Sequence, residues 1–250
     1  MTLSTIRNNP AKQKKVKTKK QKAIAATCAV AFWLLVWHVV SLCVGSELVL
    51  VSPVKVVQTL FTVIFDPDFL KTVWYSAARI LGGFFTALTL GTVLGWVASR
   101  FWVVETLLRP ITAVIKATPV ASFIILVLLW FSGKNLSVII SMLMVFPVIY
   151  MNVLVGIRSA DEKLLEMAQV FRLSVGKKLL YIYLPAVAPF FVSACSVSLG
   201  LCWKSGIAAE VIGTPDGSIG AVFYQAKIFL QTSELLAWTV VVVAVSVAFG

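Results

Sequence analysis

Six long apolar runs dominate this chain: residues 23–43, 73–97, 111–131, 136–157, 186–209 and 235–250. A helix rising about 1.5 Å per residue needs roughly 20 such residues to cross a hydrocarbon core about 30 Å thick. All but the last run reach that length. In a bilayer every backbone N–H and C=O must be paired within the protein, which leaves helices or a closed barrel, and unbroken apolar runs do not alternate as barrel strands do. The reading is an all-α membrane protein with about six transmembrane helices. Composition agrees: 60% of the 250 residues are hydrophobic and 13% charged, with a mean hydropathy of +0.96.

The net charge of +12 would suggest nucleic acid in a soluble protein, but here the basic residues read as topology signals. Arg7 and seven lysines crowd residues 1–22 without an acid, a composition that predicts a disordered basic cytoplasmic tail. Threading the six runs from an internal tail puts 15 Lys/Arg inside and 4 outside, with both termini cytoplasmic. Residues 23–250 then form one membrane domain. Segment 52–68 is too short to span, and its apolar residues at helical spacing predict an amphipathic helix on the outer surface. The cysteines Cys28, Cys43, Cys195 and Cys202 fall inside apolar runs at irregular spacing and read as small buried hydrophobes.

The longest internal loop, residues 158–185, is unexpectedly polar. It contains EMAQVFRLSVGKKLLYIYLP from Glu166 to Pro185. Ser159 followed by Glu162 has the spacing of a capping box, so a helix of about three turns is expected there. Leu164, Leu165, Ala168 and Phe171 share one face. A turn is expected within 172–176, a second short helix over 177–183, and Pro185 at the start of span five.

The loop resembles the EAA loop of ABC-importer permeases, which reads EAA, three residues, Gly, nine residues, I-x-LP. Glu166, Ala168, Ile182, Leu184 and Pro185 match; Met167 replaces the second motif residue, and Arg172 stands at the Gly position. A non-Gly residue at positive φ is costly, so Gly176 is expected to take over part of the turn. SAARILGGFFTALTLGTVLGW (76–96), RPITAVIKATPVASFIILVLLWFSG (109–133) and WKSGIAAEVIG with GSIG (203–213, 217–220) resemble segments of permeases of the nitrate, sulfonate, taurine and bicarbonate group.

That resemblance implies the type I importer permease fold in a bacterial cell membrane. It also implies translocation of a small solute, an anion such as nitrate, sulfonate or bicarbonate or a small organic compound. The implied partners are two ABC ATPase subunits, a second permease copy in a homodimer, and an extracytoplasmic solute-binding protein. ATP would be bound by the ATPase partner and no cofactor by this chain, which has no Walker A sequence. Glu166 and Ala168 would be first contacts with the ATPase.

Among intramembrane charges, Arg79 and Lys204 have two readings: snorkelling to a nearby interface, or, as the functional alternative, facing the translocation pathway and favouring an anion, with Glu210 near the same end as a third pathway candidate. Gly82, Gly83, Gly91 and Gly95 predict a close-packed face on span two. No nucleophile–base pair or metal cluster suggests an enzyme. An ion-coupled secondary transporter is the alternative, but it would favour broken helices with acids at mid-depth, and no Asp or Glu lies mid-run.

Overall fold

The computed structural model describes residues 19–249, and every regular element among them is helical. The chain divides at Pro53 into two compact units. In the first, α1 (Lys19–Val44) is an apolar helix whose Phe32 and Trp33 meet edge to face at 5.7 Å. Gly45, at φ +64°, donates its amide to Ser41 O and closes the helix end, a left-handed position that glycine occupies without steric penalty. The expected tail at 1–22 lies outside the described residues up to residue 18; its last four residues already belong to α1.

The second unit holds α2 (Pro53–Ile64), α3 (Phe69–Arg100), α4 (Trp102–Ala117), α5 (Val120–Leu128), α6 (Gly133–Arg158), α7 (Glu162–Val170), α8 (Val175–Lys178), α9 (Leu184–Gly213), α10 (Ile219–Ile228) and α11 (Thr232–Phe249). The short helix α2 realises the amphipathic segment, burying Val56 and Val63. Five helical segments among the described residues are long and apolar enough to span a membrane, and α4 with α5 supplies a sixth if the pair counts as one broken span.

That break corrects the expectation of one continuous helix over 111–131. The axis turns by 106° between α4 and α5. Thr118 is extended (φ −83°, ψ 133°) because the ring of Pro119 disfavours helical geometry in the residue before it. A second difference lies at the start of span five. The short helix expected over 177–183 is not separate: α8, a π-helical turn (Leu179–Tyr183) and α9 run on without interruption. Pro185 lacks an N–H and its ring crowds the carbonyl four residues back, so a widened turn just before it is a natural accommodation. Helix α10 was not anticipated from the sequence at all.

The core is the packing of α3, α6 and α9. Methyl groups at Gly83, Gly91 or Gly95 would strike α6, at the Val138 carbonyl, Ile149 and Tyr150 O respectively. The expected glycine face is therefore an α3–α6 contact, although Gly82 has open space around it and takes no part. Gly206 on α9 meets Ile80 and Ser141 in the same way, so the three helices approach at nearly backbone distance. Around this seam Ile80, Ile149 and Trp203 are fully enclosed, and Trp203 stacks on Phe249 of α11 at 5.7 Å.

Candidate functional site

The polar loop folds into a self-supporting knuckle. Ser159 is not its cap, as the sequence spacing suggested: its hydroxyl donates back to Gly156 O (2.8 Å) and closes α6. Asp161 caps α7 instead, its carboxylate accepting from the amide of Lys163 at 2.9 Å. At the other end the Leu173 amide donates to Ala168 O (2.9 Å), a reversal that requires a left-handed residue between them. Arg172 supplies it at φ +50°. Gly176 takes no part in the turn; it lies within α8 with open space around it.

A side chain in the left-handed region costs roughly 1–2 kcal/mol relative to glycine. Arg172→Gly is therefore expected to leave the loop intact and raise its stability by about 1 kcal/mol, read as slower proteolysis of the loop in the purified protein; faster cleavage would show that the Arg172 side chain holds the turn.

Ala168 is 0% exposed, packed with Ala160, Ile182 and Leu165. This overturns its expected role as a first contact for a partner. The small side chain lets α7 lie close against the run-in to α9, and Ile182 closes the seam from the other side. The outer surface is made by other residues: Glu166 and Met167 are exposed, and Val170, Phe171 and Val175 are 79%, 71% and 77% exposed. Leu184 and Pro185 are also exposed at the start of α9. The sequence grouped Phe171 with Leu164, Leu165 and Ala168 on one face and singled out neither Val170 nor Val175; the turn at Arg172 leaves all three exposed on either side of it.

At the opposite ends of the long helices a second polar group gathers. Arg79 on α3 donates to Tyr75 Oη (3.0 Å) and to Asn135 Oδ1 of α6 (3.1 Å), with its guanidinium 4.9 Å from the Tyr75 ring centre. Glu210 was expected near a pathway, yet it is 0% exposed. Its Oε2 accepts from the Ser76 hydroxyl (2.6 Å) and the Gly220 amide (3.4 Å), while Ser76 Oγ accepts from the Ile219 amide (2.9 Å). Ser218 accepts from Ala221 N at 3.0 Å. Three of the amides that any helix start leaves unpaired are thus satisfied by side chains, and the carboxylate sits where the dipole of α10 favours negative charge. Glu210 ties α3, α9 and α10 together and is closed to a solute in this conformation. Lys204 stands apart, exposed on α9 without an ion-pair or hydrogen-bond partner among the described residues.

A bundle of long apolar helices, one broken span and a folded polar knuckle between two spans define a polytopic membrane permease. The chain belongs to the family of binding-protein-dependent transport system inner membrane components, whose pattern matches residues 87–250. Among its relatives, a protein named as an aliphatic sulfonates transport permease, SsuC, of Bacillus subtilis is 29% identical over 211 residues, spanning 83% of this chain and 76% of the relative. The taurine transport system permease protein TauC of Escherichia coli is 27% identical over 216 residues, 84% of this chain and 78% of the relative. The nitrate import permease protein NrtB of Synechocystis is 26% identical over 214 residues, 81% and 76%. The helical architecture accords with the type I ABC importer permease fold, and the family is one of membrane transport components, not enzymes.

Proposed function

We propose that this chain is the membrane subunit of an ATP-driven importer, present in two copies, and that it carries a small oxyanion delivered by an extracytoplasmic binding protein. ATP is bound and hydrolysed by two partner ATPase subunits, whose closure rocks the permease halves between inward-open and outward-open states with the 158–185 loop as lever. Both termini and the loop face the cytoplasm, as the bias of basic residues favours.

The observation that carries the coupling role is the apolar tip of Val170, Phe171 and Val175, held out from a loop that already buries its own core at Ala168 and Ile182. Three neighbouring apolar side chains in water on a rigid mount fit a helix-in-groove contact with a soluble partner. Glu166 and Met167 flank that contact.

Charge and kinship support an oxyanion. Sulfonates, taurine and nitrate appear in the names of the relatives. Lys204 lies nine residues before the end of α9, about 13 Å along the axis, and is exposed with no counter-ion among the described residues. An ammonium at such depth is costly against lipid, so a water-filled pathway is the better surrounding. Arg79 already spends two donors on Tyr75 and Asn135 and serves as a less mobile second cation.

Lys204→Gln is accordingly expected to lower uptake of the anion about 5-fold or more at unchanged assembly, with a weaker dependence on salt. The binding protein that co-purifies with the intact complex, analysed by mass spectrometry of its released ligand, identifies the solute. An uncharged ligand would remove the oxyanion from this reading, and a native mass with a single permease chain would remove the homodimer.

A further inference from the structure

We propose that a pocket between α4 and α6, remote from Arg79 and Glu210, binds a small oxyanionic group. The cavity has a volume of ≈ 450 Å³ and lies at the helix ends that carry Glu105 and Arg158. Helix α4 lines it with Glu105, Arg109, Thr112 and Lys116, which recur every three or four residues and so share one face. Helix α6 contributes Tyr150 and Arg158. Three cations thus converge with one carboxylate.

Two details point to a ligand. Tyr150 lines the pocket although it is only 1% exposed, and its buried hydroxyl has no hydrogen-bond partner among the described residues. A buried hydroxyl without a partner is uncommon because it loses its hydration for nothing in return, and an acceptor in the cavity resolves it. The Arg109 guanidinium and the Lys116 ammonium likewise have neither an ion pair nor a hydrogen bond among the described residues.

The only pocket cation already paired is Arg158, whose Nη1 donates to Glu105 Oε1 at 3.0 Å while Nη2 donates to Oε2. This fork on a carboxylate displays the geometry an incoming oxyanion would use, and it makes Glu105 the internal competitor for part of the site. The ligand is therefore a sulfate-, sulfonate- or phosphate-type group, either free or at the head of an anionic lipid. The site does not depend on which solute the protein transports: a permease for an uncharged solute could still hold an anion here.

The test is equilibrium binding of radiolabelled sulfate to the full-length chain in nanodiscs of phosphatidylcholine alone, at fixed ionic strength. Saturable binding is expected. Tyr150→Phe and Arg109→Gln should each weaken it about 10-fold, as expected for losing a hydrogen bond to a charged group. Glu105→Gln should tighten it by up to about 5-fold, because the competing exposed ion pair is worth no more than roughly that. Tyr150→Phe should keep the thermal midpoint at or above that of the parent, since it removes an unsatisfied group, so lost binding would not reflect lost folding.

In a second arm, phosphatidylglycerol is added to the discs and the lipid retained after washing is counted by mass spectrometry. Retention that is lost in Arg109→Gln, without sulfate binding in the first arm, assigns the same chemistry to a lipid headgroup. Neither ligand binding, or affinities that Tyr150→Phe and Glu105→Gln leave unchanged, would overturn the proposal whatever the transported solute proves to be.

Discussion

Ala168→Trp is expected to abolish transport by unseating α7 from its own chain. Ala168 has no exposed surface, and its neighbours Ala160, Leu165 and Ile182 leave room for a methyl group only. An indole there overpacks the seam at a cost of roughly 1–3 kcal/mol, comparable with all the stability a four-residue cluster at a loop can hold. The tip would then no longer be presented at a fixed angle. Limited proteolysis of the purified chain, with no ATPase present, should cut within 158–175 much faster than in the parent, while membrane insertion stays normal because no span changes. Were Ala168 instead a direct partner contact, the isolated chain would show an unaltered cleavage pattern and only the complex would suffer.

Glu210→Ala should have the largest effect on stability. The carboxylate is fully enclosed and accepts from Ser76 and the Gly220 amide. Its removal leaves a buried amide and a buried hydroxyl short of an acceptor, a loss of roughly 3 kcal/mol. For a chain of this size that corresponds to a fall of about 6–12 °C in the thermal midpoint. Glu210→Gln keeps one acceptor oxygen and should lose less. A pathway role predicts the reverse pattern, in which both variants keep the parental midpoint and impair uptake.

These two residues show what the sequence could and could not convey. Length and hydropathy were sufficient for the long spans, because each run must satisfy its backbone within itself. The Gly83, Gly91 and Gly95 spacing was sufficient for a close helix contact, which α6 provides. The broken span was hidden although Pro119 stood in plain view: an apolar window averages across a bend, and only the backbone of the preceding residue records it.

The candidate sites were legible in part. Residues 166–185 marked the loop, but which side of α7 faces inward depends on where the chain turns. Arg172 accepts the left-handed position that the sequence argued against, since the bond from Leu173 to Ala168 and the buried seam over-determine it. Glu210 looked like a charge facing a pathway because its partners, Ser76 and the start of α10, lie 134 residues before it and about ten after it. The pocket at Tyr150 was not read from the sequence: Glu105, Arg109 and Lys116 recur at helical spacing, but only the packing of α4 on α6 brings them against Tyr150 and Arg158.

The central claim is that the knuckle's apolar tip transmits the force of an ATPase to the membrane helices. Phe171→Asp tests it most directly: the side chain is exposed, so the change should leave the permease folded, yet it places a charge in the centre of the contact. The measurement is the ratio of ATPase subunit to permease in the complex purified from membranes. The prediction is a loss of at least about 10-fold with unchanged permease levels. Retention of the ATPase at the parental ratio, with uptake preserved, would contradict it.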